Sequence, residues 1–455
     1  MVILPDALGE LKSWLRPLKL SEPRRTLMIR FVVATVLRCG RMSASQSATA
    51  VRSQPCHRAQ ITRFLAREWW NKRPLLGHLQ ASLLELERKT GGRFVLAIDT
   101  TLCSRQGRST ENTFSTGNRQ RRPCKGRRYN HKKNSPKRCH AFVCGLLITP
   151  SGLRIPFSRK YLTQEFARNR GVPHRTQAEL AAELIAELPL PAGADVLVVA
   201  DTAFDAEVIR DACAKRDYGW ITPVNPERVW AGPKPRPKVR SLLQKLKVQQ
   251  FSTVRLHPGR GALVPYRRLS PHRVGPKAKS RTFYVHGERR RVHSVAEDVL
   301  VVVSTMEKPQ AGEPLHEPKL LMTNDTSLTP AQLIEWYSLR WQVELFFKEL
   351  KSVLGFDHYR FRDFIRVERW VDLVLATFLY LEWSRARQLA RRDLTAIQRR
   401  WWTAQRSHGL CRAVRHQSER NDLQTIGRRL KTAGGRRALA RMLRNALPAE
   451  MRAAM

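Results

Sequence analysis

The chain has 455 residues, more than one ordinary domain holds, so we expect two or three domains. Its hydrophobic fraction of 42% is enough for sizeable cores, which excludes a disordered basic tail. The 83 Lys and Arg outnumber the 38 Asp and Glu to a formal net charge of +45, and such an excess indicates a polyanionic partner. Nucleic acid is favoured over a membrane surface, because the charge runs along the whole chain and no polybasic helix stands apart.

The sequence carries no sign of secretion or of membrane insertion. Its start, MVILPDALGELKSWLRPLKL, contains a proline and acidic residues where a signal peptide needs a long apolar core. The longest apolar run, residues 371–383, is interrupted by Asp372 and Glu382 and is too short to cross a bilayer. It therefore predicts a buried helix, and we expect no membrane contact.

The cysteines point to a reducing cytosol rather than to disulfides. Eight Cys are scattered without paired spacing. A zinc site is disfavoured, because there is no CxxC and the run 139–144 is strand-like. The side chains that would form such a site are Cys124, Cys139, His140 and Cys144.

The N-terminal part of the chain predicts a helical, DNA-binding region. Two of its short helices flank a turn near Pro55, and this helix–turn–helix spacing is compatible with DNA binding. A small helical bundle with a basic surface explains the same pattern equally well. The predicted helices cover 26–40, 43–52, 57–70 and 81–90. The arginines expected on the surface are Arg52, Arg58, Arg63 and Arg67.

Further along the chain, strands alternate with helices, as in an α/β core. The stretch 104–138 is polar, strongly basic and rich in Gly, Asn and Pro, so it predicts a long loop. The predicted strands cover 94–99, 139–162 (a pair joined by a Pro-Ser-Gly turn), 195–201 and 218–224. The predicted helices cover 176–190 and 205–216.

An Arg-rich, β-rich segment then interrupts the alternation, and we interpret it as an insertion with a basic face. Buried strands resume at 298–305 and 319–324 and lead into a long helix. After an apolar helix over 367–389, the chain ends in an Arg-rich tail that is either a solvated helical surface or a DNA clamp. The domain boundaries we expect are 1–90, 91–224, 225–297, 298–360 and 361–455.

The long helix is predicted over residues 329–356. Thr329 is suited to the N-cap with Pro330 at the first helical position, and Gly355 is suited to the stop. One broad face is apolar and predicts packing against the sheet. That face contains Trp336, Leu339, Val343, Phe346, Phe347, Leu350 and Leu354.

Four polar side chains lie along one edge of this apolar face. Tyr337, Arg340, Glu344 and Lys351 fall within an arc of roughly 60°. Taken alone, these side chains could be the ordinary solvent-exposed edge of an amphipathic helix, in which Glu344 and Lys348 form an i,i+4 ion pair.

Three acidic residues occupy comparable positions. Asp99 ends the strand FVLAID, Asp201 ends the strand VLVVAD, and Glu344 lies on the helix beyond the last strands. Ligands bind at the carboxyl edge of open α/β sheets, so we expect the three carboxylates to converge there. Converging carboxylates repel unless cations neutralise them, which favours a site for two Mg²⁺ or Mn²⁺ ions. Taken singly, each aspartate could instead be a turn or helix-cap residue.

These residues carry a resemblance to a known family. The four polar residues of the helix match the pattern Y-x2-R-x3-E-x6-K. This signature, together with the surrounding sequence YSLRWQVELFFKELKSVLGF, resembles DDE insertion-sequence transposases of the "insertion sequence four" type. AIDTTL around Asp99 and VVADTAF around Asp201 resemble the contexts of the first two family carboxylates. The resemblance covers roughly residues 94–360, while the basic loop 104–138 and the C-terminal tail have no match.

The resemblance implies an α/β fold with an RNase H-like mixed-sheet core, a β-rich insertion, and helical N- and C-terminal flanks. It implies that Asp99, Asp201 and Glu344 are catalytic and bind two divalent metal ions, Mg²⁺ or Mn²⁺. It further implies a homodimer on paired transposon ends in the prokaryotic cytosol, close to the nucleoid. The residues expected to contact DNA are Tyr337, Arg340, Lys351 and Trp341.

The function we expect is cut-and-paste DNA transposition. The enzyme would bind terminal inverted repeats of double-stranded DNA, cleave a strand and transfer the freed 3′-hydroxyl to target DNA. One alternative is a non-catalytic DNA-binding protein derived from a transposase, which metal-independent binding without nicking would favour. Another is an RNase H-like nuclease, which a preference for RNA–DNA hybrids would favour.

Overall fold

A computed structural model of the chain describes residues 7–37, 43–49, 57–66, 75–87, 91–105, 109–115, 138–256 and 281–390, with short pieces at 395–396, 409–412, 430–437 and 440. The main helices are α1 (Ala7–Leu15), α2 (Glu22–Leu37), α3 (Ala44–Thr49), α4 (Arg58–Ala66), α5 (Leu75–Glu85), α6 (Gln164–Asn169), α7 (Gln177–Ala186), α8 (Glu207–Lys215), α9 (Ser241–Lys245), α10 (Pro330–Ser338), α11 (Trp341–Ser352) and α12 (Phe364–Leu389). The strands are β1 (Phe94–Arg105), β2 (Phe114–Ser115), β3 (Arg138–Ile148), β4 (Arg154–Lys160), β5 (Val196–Ala200), β6 (Gly219–Pro223), β7 (Ser252–Leu256), β8 (Arg281–Arg291), β9 (Asp298–Thr305) and β10 (Lys319–Thr323).

The ten strands of the described residues belong to one mixed sheet in the order β2-β3-β1-β5-β6-β10-β9-β8-β7, with β4 also paired to β3. The pairs β1–β5 and β5–β6 are parallel, and the others are antiparallel. The predicted α/β class with a mixed sheet is therefore confirmed. In the segment predicted as an insertion, β7 and β8 continue the same sheet through β9.

The two sides of β1 face different helices, because successive side chains of a strand point to opposite faces. Thr100 donates its hydroxyl to Gln177 of α7 at 3.0 Å. Asp99, whose side chain points to the opposite face, has its Oδ2 3.9 Å from Nη1 of Arg340, just before α11. Lys351 of α11 also donates to the backbone carbonyl of Leu102 at 2.8 Å. The sheet is thus covered by α7 on one side and by α11 on the other.

The N-terminal helices pack against α12, the longest helix of the described residues. α12 contacts α2, α4 and α5, and the buried Arg369 donates to the carbonyl of Leu65 at 2.6 Å. The predicted pair of short helices is found as α3 and α4, with Arg58 and Arg63 exposed. Arg52 and Arg67 lie outside the described residues. The helix predicted over 81–90 was misplaced, since α5 begins at residue 75 and buries Leu75, Leu79 and Leu83 at helical spacing.

The helix predicted over 329–356 is two helices, so the prediction of a continuous helix was wrong. α10 begins as expected, since the Thr329 side chain accepts from the backbone of Gln332 in a capping box with Pro330 at the first position. Between α10 and α11 the hydrogen bonds tighten to three-residue spacing, from Leu339 N–H to the Trp336 carbonyl and from Arg340 N–H to the Tyr337 carbonyl, both 3.0 Å. Apolar periodicity cannot reveal this break, because Leu339 and Arg340 keep right-handed helical dihedral angles.

Three further predictions concern Gly355, membrane-spanning helices and the basic loop. Gly355 lies three residues after the last residue of α11, Ser352, and has a φ of +74°, the left-handed conformation that favours glycine where the chain leaves a helix. Within the described ranges, no helix has the length and hydropathy needed to cross a membrane. The basic loop predicted over 104–138 lies mostly outside the described residues, and its described part contains the short strand β2.

Candidate active site

The two aspartates lie side by side at one edge of the parallel strands. The last paired residues of β1 and β5 are Ile98 and Ala200, and Asp99 and Asp201 come next on the two strands. Asp201 directly follows β5, as predicted, and its carboxylate accepts from Thr202 N–H at 2.7 Å, which caps a short 3-10 turn. Asp99 accepts from Thr100 N–H at 2.7 Å.

Asp99 does not end its strand, contrary to the prediction from FVLAID. β1 runs on to Arg105, because its antiparallel pairing with β3 continues after the pairing with β5 stops. Asp99 is therefore at the carboxyl edge of the parallel strands but in the middle of a 12-residue strand. This backbone is held on one side along its full length, which gives the carboxylate a rigid base.

Arg340 joins Glu344 to this edge. Its Nη2 donates to Glu344 Oε1 at 2.9 Å, and its Nη1 lies 3.9 Å from Asp99 Oδ2. The side chains of Arg340, Asp99 and Glu344 are 16%, 24% and 33% exposed, so the group is only partly open to solvent. Glu344 forms its ion pair with Arg340 four residues earlier, and no described ion pair links it to Lys348.

The carboxylates share one electrostatic environment. Burial raises the pKa of Asp99, the nearby Asp201 raises it further, and the Thr100 N–H and Arg340 oppose the change. Burial likewise raises the pKa of Glu344, where Arg340 lowers it and both aspartates raise it. Burial thus disfavours the charged forms of Asp99 and Glu344, and the neighbouring carboxylates add to this effect, as expected where acidic side chains converge.

Tyr337 and Trp341 lie around the same guanidinium. The Arg340 Cζ is 5.8 Å from the ring centroid of each, and both side chains are half-buried. Burial is the main cause that raises the pKa of Tyr337 to about 12, with Asp201 and Glu344 adding to it and Arg340 opposing it. The phenol therefore stays protonated at neutral pH and can donate a hydrogen bond.

Lys351 lies apart from the acids. Two helical turns beyond Glu344, its Nζ donates to the carbonyl of Leu102 at 2.8 Å. The structure thus brings Asp99, Glu344, Arg340 and Tyr337 together beside Asp201, whereas Lys351 lies further along β1.

The donor set suits a hard divalent cation. Asp99, Asp201 and Glu344 offer carboxylate oxygens, the ligands that Mg²⁺ and Mn²⁺ prefer. In the described part of the chain, no group of three or more His, Cys, Asp or Glu side chains is already close enough to hold a metal ion. Arg340 lies between two of the carboxylates and offsets part of their charge. The chemistry of the donors therefore fits a site for a divalent metal ion.

The cysteine and histidine side chains considered for a zinc site do not form a metal-binding group among the described residues. Both ring nitrogens of the buried His140 already have partners, the Tyr359 hydroxyl at 2.7 Å and the Glu111 carbonyl at 2.9 Å. Cys139 donates weakly to a backbone carbonyl at 3.7 Å. Cys124 lies outside the described residues. Here His140 and Cys139 are structural side chains.

Sequence patterns missed Asp205, which anchors the turn after Asp201. Its carboxylate is 4% exposed and accepts from Arg210 at 2.7 Å and from Arg228 at 2.8 Å. Asp205 therefore ties the turn to α8 and to the segment after β6. The partner Arg228 is 23 residues away, so no local periodicity could have indicated this contact.

Comparison with known proteins identifies the segment that contains the site. A family model described as transposase DDE domain matches residues 92–380, more than half of the chain. A search of curated proteins found no match. All seven residues predicted from the sequence as catalytic or DNA-binding lie within the matched segment.

Proposed function

The chain belongs to the family of transposase DDE domains, and from this premise we propose that it is an insertion-sequence transposase of the "insertion sequence four" type. Membership of the family makes it a transposase, an enzyme that cleaves nucleic acid, with DNA as its partner. The proposal adds recognition of terminal inverted repeats, strand cleavage and strand transfer by a cut-and-paste route. As the RNase H-like core we take β4, β3, β1, β5 and β6, which carry both aspartates.

The observation that carries this proposal is the arrangement around Arg340. Neighbouring parallel strands bring Asp99 and Asp201 to one edge, and Arg340 links Glu344 to Asp99. Three carboxylates from distant parts of the chain would be an unfavourable combination in a purely structural site. A catalytic role supplies the reason to keep them together.

In the proposed mechanism Asp99, Asp201 and Glu344 would hold two Mg²⁺ or Mn²⁺ ions. Such ions, when bound, polarise the attacking and leaving oxygens of a phosphodiester. The guanidinium of Arg340 and the ammonium of Lys351 neutralise phosphates near the transposon end, and the Tyr337 hydroxyl donates to a phosphate oxygen. Trp341 adds a half-exposed aromatic surface beside Arg340 for contact with the same DNA.

We also propose that the N-terminal helices bind the terminal repeats and that two copies act on paired ends. Support for the first part is the exposed surface of α4, which carries Arg58 and Arg63. The contact of Arg369 with Leu65 connects α4 to α12 and so to the core. Support for the dimer comes from family membership alone.

The test is a cleavage and strand-transfer assay on end-containing DNA with Mg²⁺. We expect Asp99→Asn, Asp201→Asn and Glu344→Gln each to reduce cleavage about a thousandfold, which corresponds to about 4 kcal/mol of barrier. Glu335→Gln, an exposed acid on α10 outside the site, is the matched control and should retain activity.

Wild-type rates in all three site variants would contradict the mechanism. Metal-independent DNA binding with no nicking under any condition would indicate a non-catalytic DNA-binding protein instead. Preferential cleavage of RNA–DNA hybrids would indicate a nuclease.

A further inference from the structure

A buried ionic cluster joins the strand β4 to the helices α11 and α12. Arg154 of β4 donates to Glu349 of α11 through both terminal nitrogens, at 2.9 and 3.1 Å. It also donates to Glu382 of α12 from Nη2 at 2.7 Å and from Nε at 3.2 Å. One guanidinium thus holds two carboxylates on two helices.

Arg385 completes this cluster, which we call the Arg154 clamp: Arg154, Glu349, Glu382 and Arg385. Arg385 donates to Glu382 at 2.7 Å and to the carbonyl of Gly152, in the turn before β4, at 3.1 Å. The four side chains carry two positive and two negative charges, so the cluster is neutral. Relative exposure is 9% for Glu349 and 2% or less for the other three.

The clamp is a poor device for stability alone. Burial by itself lowers the pKa of Arg154, and the two glutamates more than offset this, so the group stays charged inside the core. Removing charges from water is costly, and well-packed apolar residues in place of a buried ion pair are often equally stable or more so. The bidentate contacts do provide direction, since they tolerate little rotation or sliding of the helices.

Apolar packing between the same helices is less restrictive. Phe346 of α11 packs edge-on against Phe378 of α12 at 4.9 Å, and Arg154 lies over the Phe378 ring at 5.0 Å. Such contacts favour burial but allow a helix to slip. Glu349 fixes the rotation and height of α11 on the face that turns roughly 140° away from Glu344, five residues earlier.

We propose that Arg154 is a positioning residue for Glu344, acting through Glu349. The inference rests on the proposed function, in which Glu344 is a metal-binding carboxylate that must lie beside Asp99. α11 contributes Glu344 to a site whose other acids belong to the sheet, so the clamp between α11 and the sheet sets the distance between them. A displacement of even 1 Å at such a site can cost about a hundredfold in rate.

The deciding experiment replaces one pair of the clamp with apolar side chains. In Arg154→Met/Glu349→Met the remaining Arg385–Glu382 pair stays neutral. We expect an unfolding midpoint no lower than that of the wild type, but amide hydrogen exchange over 341–352 faster by about tenfold. Strand cleavage should slow about a hundredfold in kcat, with KM for end DNA within about twofold.

The matched control is Arg159→Met/Glu187→Met, which removes a partly exposed ion pair between Arg159 of β4 and Glu187 at the end of α7. No described hydrogen bond or ion pair links these two side chains to α11. The control should leave exchange and cleavage unchanged. Arg154→Lys is the second variant, because it keeps the charge but cannot hold two carboxylates in bidentate geometry. We expect Arg154→Lys, like the double variant, to speed amide hydrogen exchange over 341–352 and to lower kcat. This variant keeps the inference testable if the double variant fails to fold.

Wild-type exchange over 341–352 together with wild-type kcat in Arg154→Lys would overturn the inference. Equal loss of kcat in the control pair would also overturn it, since a general structural role would then suffice. A wild-type chain that cleaves no DNA refutes the proposed function, and the exchange measurement still decides whether the clamp holds α11.

Discussion

Arg340 offsets part of the electrostatic repulsion between the carboxylates of this acidic site. Its guanidinium bonds Glu344 and lies 3.9 Å from Asp99. One positive charge cannot neutralise three carboxylates, so the edge keeps an excess of negative charge. That local excess supports the proposed binding of a divalent cation at this edge, although the chain as a whole has a formal net charge of +45.

His140 shows how a buried histidine is fixed in one protonation state. The Glu111 carbonyl can only accept, so Nε2 must carry the proton, and Nδ1 then accepts from the Tyr359 hydroxyl. Burial is the largest cause that lowers the pKa of His140 to about 4, opposed by the Glu111 carbonyl and assisted by Arg105. The ring is therefore neutral at pH 7.

The lowered pKa of His140 predicts acid sensitivity. The folded state binds this proton less readily than the unfolded state, so the contribution is fully present above pH 6.5 and is lost as the pH falls towards 4. The loss amounts to about 3 kcal/mol. His140→Gln keeps a donor for the Glu111 carbonyl but does not titrate, so its urea midpoint should fall less than that of the wild type between pH 7 and 4.5. Parallel pH profiles for the two proteins would contradict this assignment.

At the scale of secondary elements, the docking of β8 against the start of α10 requires a residue without a side chain. A Cβ at Gly287 would lie 2.7 Å from Cγ of Pro330 and 3.2 Å from Leu300 Cδ1. Pro330 lies in the capped first turn of α10, and its ring cannot rotate away from an added methyl group. Close approach of strand and helix therefore depends on Gly287, and through α10 it affects the position of Tyr337.

Gly287→Ala should accordingly destabilise the protein by about 1–3 kcal/mol through overpacking, or displace the start of α10. The readout is the thermal unfolding midpoint, with DNA cleavage as a second measurement. Gly91→Ala is the control, since a Cβ there meets nothing within 4 Å. Equal midpoints for the two variants would show that β8 and α10 can separate without cost.

At the scale of the whole molecule, both the net positive charge and the packing of the helices suit DNA as the partner. α12 packs against the N-terminal helices and holds Glu382 of the Arg154 clamp, so the helices with exposed arginines and the acidic edge are parts of one connected fold. The Arg154 clamp is neutral, so it takes up none of the net positive charge. The excess positive charge is therefore available to DNA phosphates.

The affinity for end DNA should fall steeply with salt. If six to ten phosphates are neutralised, binding weakens about 10³–10⁵-fold between 50 and 200 mM salt. Lys351→Met should reduce the slope of log K against log salt by about one. Lys215→Met, at the far end of α8, is the control and should leave the slope unchanged. A slope that does not respond to Lys351→Met would remove this residue from the DNA contact.

Much of the local structure could be predicted from the sequence. Thr329 and Pro330 start a helix as expected, Asp201 follows a buried strand, and the acidic residue at 382 interrupts an apolar helix. The predictions failed where a distant segment decides the outcome. β1 extends beyond Asp99 because β3 pairs with it, and the break at Leu339 leaves no trace in apolar spacing.

The sequence by itself determined the α/β class, the identity of the acidic and basic residues and the family to which they belong, because caps, periodicities and signature spacings are local. Only the tertiary structure decided that Arg340 bridges Glu344 and Asp99 and that Arg154 holds α11 through Glu349. Arg154 and Glu349 are 195 residues apart. A contact at such separation depends on how the strands pair and the helices pack, and that information is held by the fold as a whole.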